Sequence, residues 1–240
     1  MLTAITRTHP GNVRTNNEDL ALAEPSLSLV ALADGMGGHN AGEIASRLAI
    51  ETIQRVLGSG RSDARAADRI REAFTAANRE IFRTAEEHAE YTGMGTTLTA
   101  GILEGSTLTY ASVGDSRLYR LSGSRLDLMT KDDSLMEALA DVGGMDATAL
   151  EKHPMRHLLT NVLGKKADLD MTIDEAELAD GDLLLLSSDG LHGAVAAASI
   201  QEILSAARGN IETAADRLIE AGLAADGKDN ITVVIARYTA

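Results

Sequence analysis

The run Thr96–Met129, TTLTAGILEGSTLTYASVGDSRLYRLSGSRLDLM, sets β-branched and apolar residues in short stretches separated by the triplets EGS, GDS and SGS. Stretches of this length, punctuated by turn residues, read as an antiparallel meander, because so short a connection can only return the chain beside itself. Working outward, Leu27 to Ala33 is a short apolar strand broken by ADGMGGHNAG, after which Ala45, Ala49, Ile53 and Val56 recur at helical spacing. Ile70, Phe74, Ala77 and Ile81 mark a second helix that ends near Glu90, with Ser62 and Asp63 offering a cap and a favourable first-turn charge. Beyond the meander, Asp133 to Lys166 reverts to helical or irregular texture, broken at Gly143-Gly144 and His153-Pro154, and LLLLSS resumes the sheet. Ser199 and Glu202 have the spacing of a capping box for a helix ending near Gly209, Asn210 can cap another through Ile211, Ala215, Leu218 and Ile219, and NITVVIARY closes the chain as a strand. Helices around a strand-rich centre give an α+β class with antiparallel sheets and disfavour a doubly wound parallel sheet.

A chain of 240 residues with 44% hydrophobic content buries on the order of 70% of its unfolded surface, enough for one sizeable domain over residues 1–240. Nothing in it resembles a linker, a low-complexity stretch or a repeat of fixed period. The opening MLTAITRTHP lacks a signal-peptide core, and the longest aliphatic run, Leu183 to Leu186, is far too short to cross a bilayer. A soluble, cytoplasmic protein is expected. The formal net charge of -14 and the 2% aromatic content oppose binding to nucleic acid or to an anionic membrane, both of which favour a basic surface. Without cysteine, the chain has neither disulfides nor thiol chemistry.

Four aspartates stand beside or two residues from a glycine where an apolar run ends or begins: Asp34 in LVALADGMGG, Asp115 in ASVGDSR, Asp189 in LLLLSSDGL and Asp229, after Gly227, in DGKDNITVVI. A lone Asp-Gly is usually a turn, since Asp bonds its own backbone and Gly takes positive φ, and Asp226-Gly227 reads as that and no more. Four aspartates at strand edges are a different pattern. Facing one cleft, they would repel each other unless a cation stood between them, and hard oxygen ligands favour Mg²⁺ or Mn²⁺ over zinc or copper.

The glycine-rich loop DGMGGHNAG lacks the lysine and spacing of a phosphate-binding P-loop, and neither a dinucleotide fingerprint, an EF-hand nor a serine nucleophile elbow occurs. Near the amino end, GNVRTNNEDL supplies Arg14, whose planar fork can hold two phosphate oxygens, with Glu18 and Asp19, which can orient water or complete a metal shell. A cation for an anionic substrate beside clustered divalent-metal ligands points to metal-assisted phosphoester hydrolysis.

RTNNEDL, LADGMGGHNAGEIAS, MGTTLTAGIL, VGDSRLYRL, TKDDSL, GDLLLLSSDGL and GKDNITVVIA follow one another over nearly the whole chain. In content, order and approximate spacing they resemble the bacterial PPM family, the metal-dependent serine/threonine protein phosphatases of type 2C. The resemblance implies a four-layer αββα sandwich with the metal centre in a cleft at one end. It implies that Asp34 bridges two Mn²⁺ or Mg²⁺ ions, that Gly35 gives its carbonyl to one, and that Asp189 and Asp229 ligate the other. Glu18 and Asp19 would orient bound water, Arg14 would grip the phosphate, and a hydroxide between the cations would attack phosphorus without a covalent phosphoenzyme.

Two positions depart from the family pattern. Met36 stands where eukaryotic relatives have a histidine, so that leaving-group acid cannot be carried over, and His39 nearby is a weaker candidate for the role. Gly193 replaces a frequent aspartate, which leaves Asp115 as the chief ligand of a third, weakly held divalent ion. The stretch at about 132–170 corresponds to the family's variable flap, and Met129, Met136, Met145, Met155 and Met171 within and beside that region are expected to be ordinary core packing. The expected substrates are phosphorylated proteins, in opposition to a serine/threonine kinase. A phosphatase dedicated to one phosphorylated regulator, such as an anti-sigma-factor antagonist, and a non-catalytic PPM-like binding module are the alternatives.

Overall fold

The structure, a computed structural model, describes residues 1–37, 41–59, 64–141, 155, 158–207 and 209–240. Its strands are β1 (Leu2–His9), β2 (Asp19–Glu24), β3 (Leu29–Met36), β4 (Gly95–Thr96), β5 (Leu98–Glu104), β6 (Thr107–Val113), β7 (Arg117–Ser122), β8 (Arg125–Leu128), β9 (Ile173–Glu177), β10 (Leu183–Ser187) and β11 (Ile231–Tyr238). One antiparallel sheet runs β1-β11-β10-β7-β8 and the other β2-β3-β5-β6-β9, with the short β4 paired to β3.

The alternation of side chains along each strand builds the layers. In β10, Leu183 and Leu185 face the C-terminal helices Ala197–Ala206 and Ile211–Ala225, where they pack with Val233, Ile200, Leu204 and Leu218. Leu184 and Leu186 point the other way, into a second core shared with Val30, Leu32 and Leu108 of the opposite sheet. On that sheet's outer face, Leu29, Ala31 and Ala33 meet Ala45, Ala49 and Ile53 of α1 (Ala41–Gly58) and Phe74 and Ile81 of α2 (Ala66–Glu87). Both faces of both sheets are therefore buried, which is why these strands read as unbroken apolar runs. The layers are αββα, as the family resemblance implies.

Several elements differ from expectation. The meander is split: β5 and β6 form a hairpin in one sheet, whereas β7 and β8 form a hairpin in the other. EGS and SGS reverse the chain, but GDS carries it across. Gly114 there has φ +100°, and a Cβ on it would lie 2.6 Å from Thr97 Cγ2, so the crossing needs glycine for both shape and space. The strands β1 and β9 were not anticipated, and both pair at or toward a sheet edge where apolar patterning is weak. The helix Ala197–Ala206 starts after Ala196, with Ser199 already inside it, so the capping box does not form. Asn210 does cap the next helix, its Oδ1 accepting from the Thr213 amide at 3.0 Å. The helix α2 begins at Ala66 and yields at His88 to a short 3₁₀ turn, Ala89–Tyr91; Ser62 and Asp63 fall outside the described residues. Within the flap region, the described part includes α3 (Leu135–Asp141), while Gly143-Gly144, Met145 and His153-Pro154 lie outside it. No helix among the described residues is long and apolar enough to cross a membrane.

Candidate active site

The register of β2 on β3 sets Asp19 directly opposite Asp34. Around Asp34 the backbone is fixed by threonines: its amide donates to Thr97 Oγ1 at 2.9 Å, and its carbonyl accepts from the Thr97 amide at 2.9 Å and from Thr96 Oγ1 at 2.9 Å. Gly35 follows because α1 enters so close behind it that a Cβ would stand 2.1 Å from the Gly42 carbonyl oxygen. Its amide donates to the Glu18 carbonyl at 3.1 Å, tying the N-terminal segment to the strand.

The other sheet brings its own residues to the same end of the molecule. Asp189 begins the short helix Asp189–His192 directly after β10, Asp229 precedes β11, and Asp115 lies on the crossing between the sheets. Asn230 locks the N-terminal loop to β11, donating to the Pro10 and Asn16 carbonyls at 3.0 and 2.9 Å while accepting from the Glu18 amide at 2.8 Å. Ser188 joins the sheets: its hydroxyl donates to Asp19 Oδ2 at 2.8 Å and accepts from the Thr232 amide at 3.0 Å.

Asp34, Gly35, Asp115, Asp189, Asp229, Glu18 and Arg14 all line one cavity of about 610 Å³. Asp19 is not in its wall. It lies behind, 7% exposed, and its Oδ1 is a buried acceptor without a hydrogen-bond partner among the described residues. Arg14 reaches Asp229 Oδ2 at 2.8 Å, so the expected phosphate cation is paired with an expected metal ligand. That contact holds the guanidinium pKa above its usual value.

Burial and mutual repulsion dominate the electrostatics. Burial, then Asp19, Asp189 and Asp115, push the Asp34 carboxyl well above the usual range. Asp19 is raised to about 7 by burial against the opposing bonds from Thr232 and Ser188, and Asp115 to about 7 by burial and then Asp189. Glu18 is raised by burial, which the nearby Arg14 partly offsets. Buried carboxyls that raise one another, with one oxygen behind the wall left unbonded, fit a hard divalent cation in the cavity, whose charge would offset the repulsion. Among the described residues no three acidic or histidine side chains are gathered closely enough to hold an ion by themselves. A cation here would therefore also draw on backbone carbonyls and water.

His39 lies outside the described residues. Gly193 is exposed, and its amide donates to the Asp189 carbonyl at 2.7 Å; a Cβ there would meet that same oxygen at 2.7 Å, so an aspartate needs the helix end to shift. Sequence reasoning missed His192, whose Nδ1 lies 2.9 Å from Ser187 Oγ while the ring also bonds the Asp115 backbone. Burial drives its pKa down to about 3, so the ring is neutral, accepting from Ser187 and donating to the Asp115 carbonyl. Thr97, Asn161, Lys165 and Lys166 of the cavity wall were missed too. The MGTTL motif was the one available signal, and it pointed only to Thr97.

A family model described as protein phosphatase 2C matches residues 14–221. The chain is 39% identical over 96% of its length to the serine/threonine protein phosphatase PstP of Mycobacterium tuberculosis, and spans 44% of that protein. It is 34% identical to the serine/threonine phosphatase stp of Listeria monocytogenes, covering 95% of this chain and 93% of that one. The crystal structure of the catalytic domain of PstP in complex with two manganese ions superposes with a TM-score of 0.89 at 36% identity, covering 100% of this chain and 99% of that one. Motif order, layer order and these likenesses agree, and the chain belongs to the protein phosphatase 2C, or PPM, family.

Proposed function

We propose that this chain hydrolyses phosphoserine and phosphothreonine in proteins, opposing a serine/threonine kinase, with two Mn²⁺ or Mg²⁺ ions in the cavity. The observation that carries the reading is the set of carboxylates lining one cavity, with Asp34 and Asp115 on its wall and Asp19 behind it held far above their usual pKa. The manganese-bearing PstP domain and the serine/threonine phosphatases among the relatives support it.

Asp34, the Gly35 carbonyl, Asp189 and Asp229 would hold the cations, and Asp115 a third and weaker one. When bound, the ions supply charge that makes water nucleophilic near neutral pH and offsets the negative charge gathering on the phosphoryl oxygens. Glu18, on the cavity wall, accepts a proton from water entering it. Asp19 works from behind the wall, setting Ser188 and, through the strand pairing, Asp34. Arg14 is tethered by Asp229 on the cavity wall, and its remaining donors would bind an entering phosphate.

Purified protein assayed on phosphoserine and phosphothreonine peptides should turn over with Mn²⁺ and stop with excess chelator. Asp34→Asn should lose orders of magnitude in kcat while staying folded. Full turnover of metal-stripped protein in chelator would overturn the proposal.

A further inference from the structure

The cavity is walled on one side by residues 158–162 and by Lys165 and Lys166. These lysines stand apart from the other cation in the wall. Arg14 is neutralised by Asp229, whereas neither lysine is in an ion pair among the described residues, in a protein with 36 acidic side chains. Lys165 Nζ donates to the Gly93 carbonyl, a neutral partner, which leaves its charge uncompensated among the described residues, and both lysines are exposed.

The turn that carries them is built rather than loose. Asn78 of α2, 1% exposed, accepts from the Gly164 amide at 2.8 Å and donates to the Lys166 and Ala167 carbonyls at 2.9 and 3.1 Å. Gly164 has φ +87°, and a Cβ there would lie 2.3 Å from Ile81 Cγ2, so glycine lets the turn sit directly on the helix. Just before it, Leu163 is fully buried and exchanges backbone bonds with Thr96, at 2.9 and 3.2 Å. A buried amide fully used in fixing a turn, with two exposed lysines outside any ion pair among the described residues carried by that turn on the cavity wall, is a preorganised anion site.

We infer that Lys165 and Lys166 form a subsite for a second negative charge on the substrate, an acidic side chain or another phosphate close in sequence to the phosphoresidue being hydrolysed. The inference rests on the phosphatase reading and adds a substrate class to it: acidic or multiply phosphorylated segments. Without such a pair, a strongly acidic protein would repel them.

The test compares three phosphothreonine peptides with neutral, aspartate or second-phosphoserine neighbours, using the unmodified protein, Lys165→Gln/Lys166→Gln and Lys166→Glu with Mn²⁺. The readout is the ratio of kcat/KM for each acidic peptide to that for the neutral one, in which general damage to the site cancels. The unmodified protein should favour acidic peptides by about threefold to thirtyfold, carried by KM and fading at high salt. The ratio should fall to near one in the double variant and below one in Lys166→Glu. The aspartate and phosphoserine arms tell which anion is preferred. A ratio near one in the unmodified protein, or one unchanged by both variants, overturns the subsite. Should no peptide be hydrolysed at all, the phosphatase reading fails separately; fluorescence anisotropy with the same labelled peptides then decides the subsite, equal affinity for acidic and neutral peptides overturning it.

Discussion

Arg14 illustrates how one side chain can be ready for substrate without being free. Its pair with Asp229 joins two exposed groups, a geometry worth at most about 1 kcal/mol of stability. Arg14→Ala should therefore leave the thermal unfolding midpoint nearly unchanged. Under the phosphatase reading it should lose about 2–4 kcal/mol of transition-state stabilisation, roughly 30-fold to 1000-fold in kcat/KM, because a bidentate charged contact to phosphate disappears. Unchanged phosphopeptide kinetics would place Arg14 outside the reaction. This residue, like the aspartates, was legible in the sequence because short motifs carry it. Lys165, Lys166 and His192 were not. Their surroundings are set by Asn78, Gly93, Asp115 and Ser187, which only the folded chain brings close.

At the scale of elements, the strand-rich centre was legible but its division between sheets was not. The triplets EGS, GDS and SGS look alike, and only packing against Thr97 distinguishes the one that crosses, through the Thr97 Oγ1 to Ser116 Oγ contact at 2.7 Å and the Thr99 Oγ1 bond to the Ser116 carbonyl at 2.7 Å. Ser199 fails as a cap because the helix already begins after Ala196, a turn that carries Ile200 into the core with Leu204. The bond between α2 and the turn after the flap offers a measurable case. Asn78→Ala would leave the Gly164 amide and two carbonyls without their buried partner, a cost of about 2–4 kcal/mol. For a chain this long, that lowers the unfolding midpoint by roughly 4–16 °C. A midpoint within a degree of the unmodified protein would show that the turn is held by other contacts.

On the scale of the whole molecule, the site exists because two sheets end together. One contributes Asp34 near the end of β3, the other Asp189 and Asp229 beside β10 and β11, and the connection that crosses between them delivers Asp115. Packing has thus concentrated like charge, and the raised carboxyls record the cost. A carboxyl whose folded pKa lies above its unfolded value favours folding fully below about pH 4, and that contribution is lost as pH rises through the folded pKa, here about 7 for Asp19 and Asp115. His192 acts in the opposite sense: held neutral, with its pKa near 3, it withdraws stability as pH falls below about 6.5. Its effect is common to protein with and without metal, so the difference between the two isolates the carboxyls. Mn²⁺ should raise the unfolding midpoint more at pH 8 than at pH 5, because at pH 5 the cation must first displace protons. Calorimetric titration at pH 6 should accordingly give a binding enthalpy that depends on the ionisation enthalpy of the buffer, reporting proton release. A buffer-independent enthalpy at pH 6, or an equal gain in midpoint at both pH values, would mean that Mn²⁺ does not bind where these carboxyls crowd together.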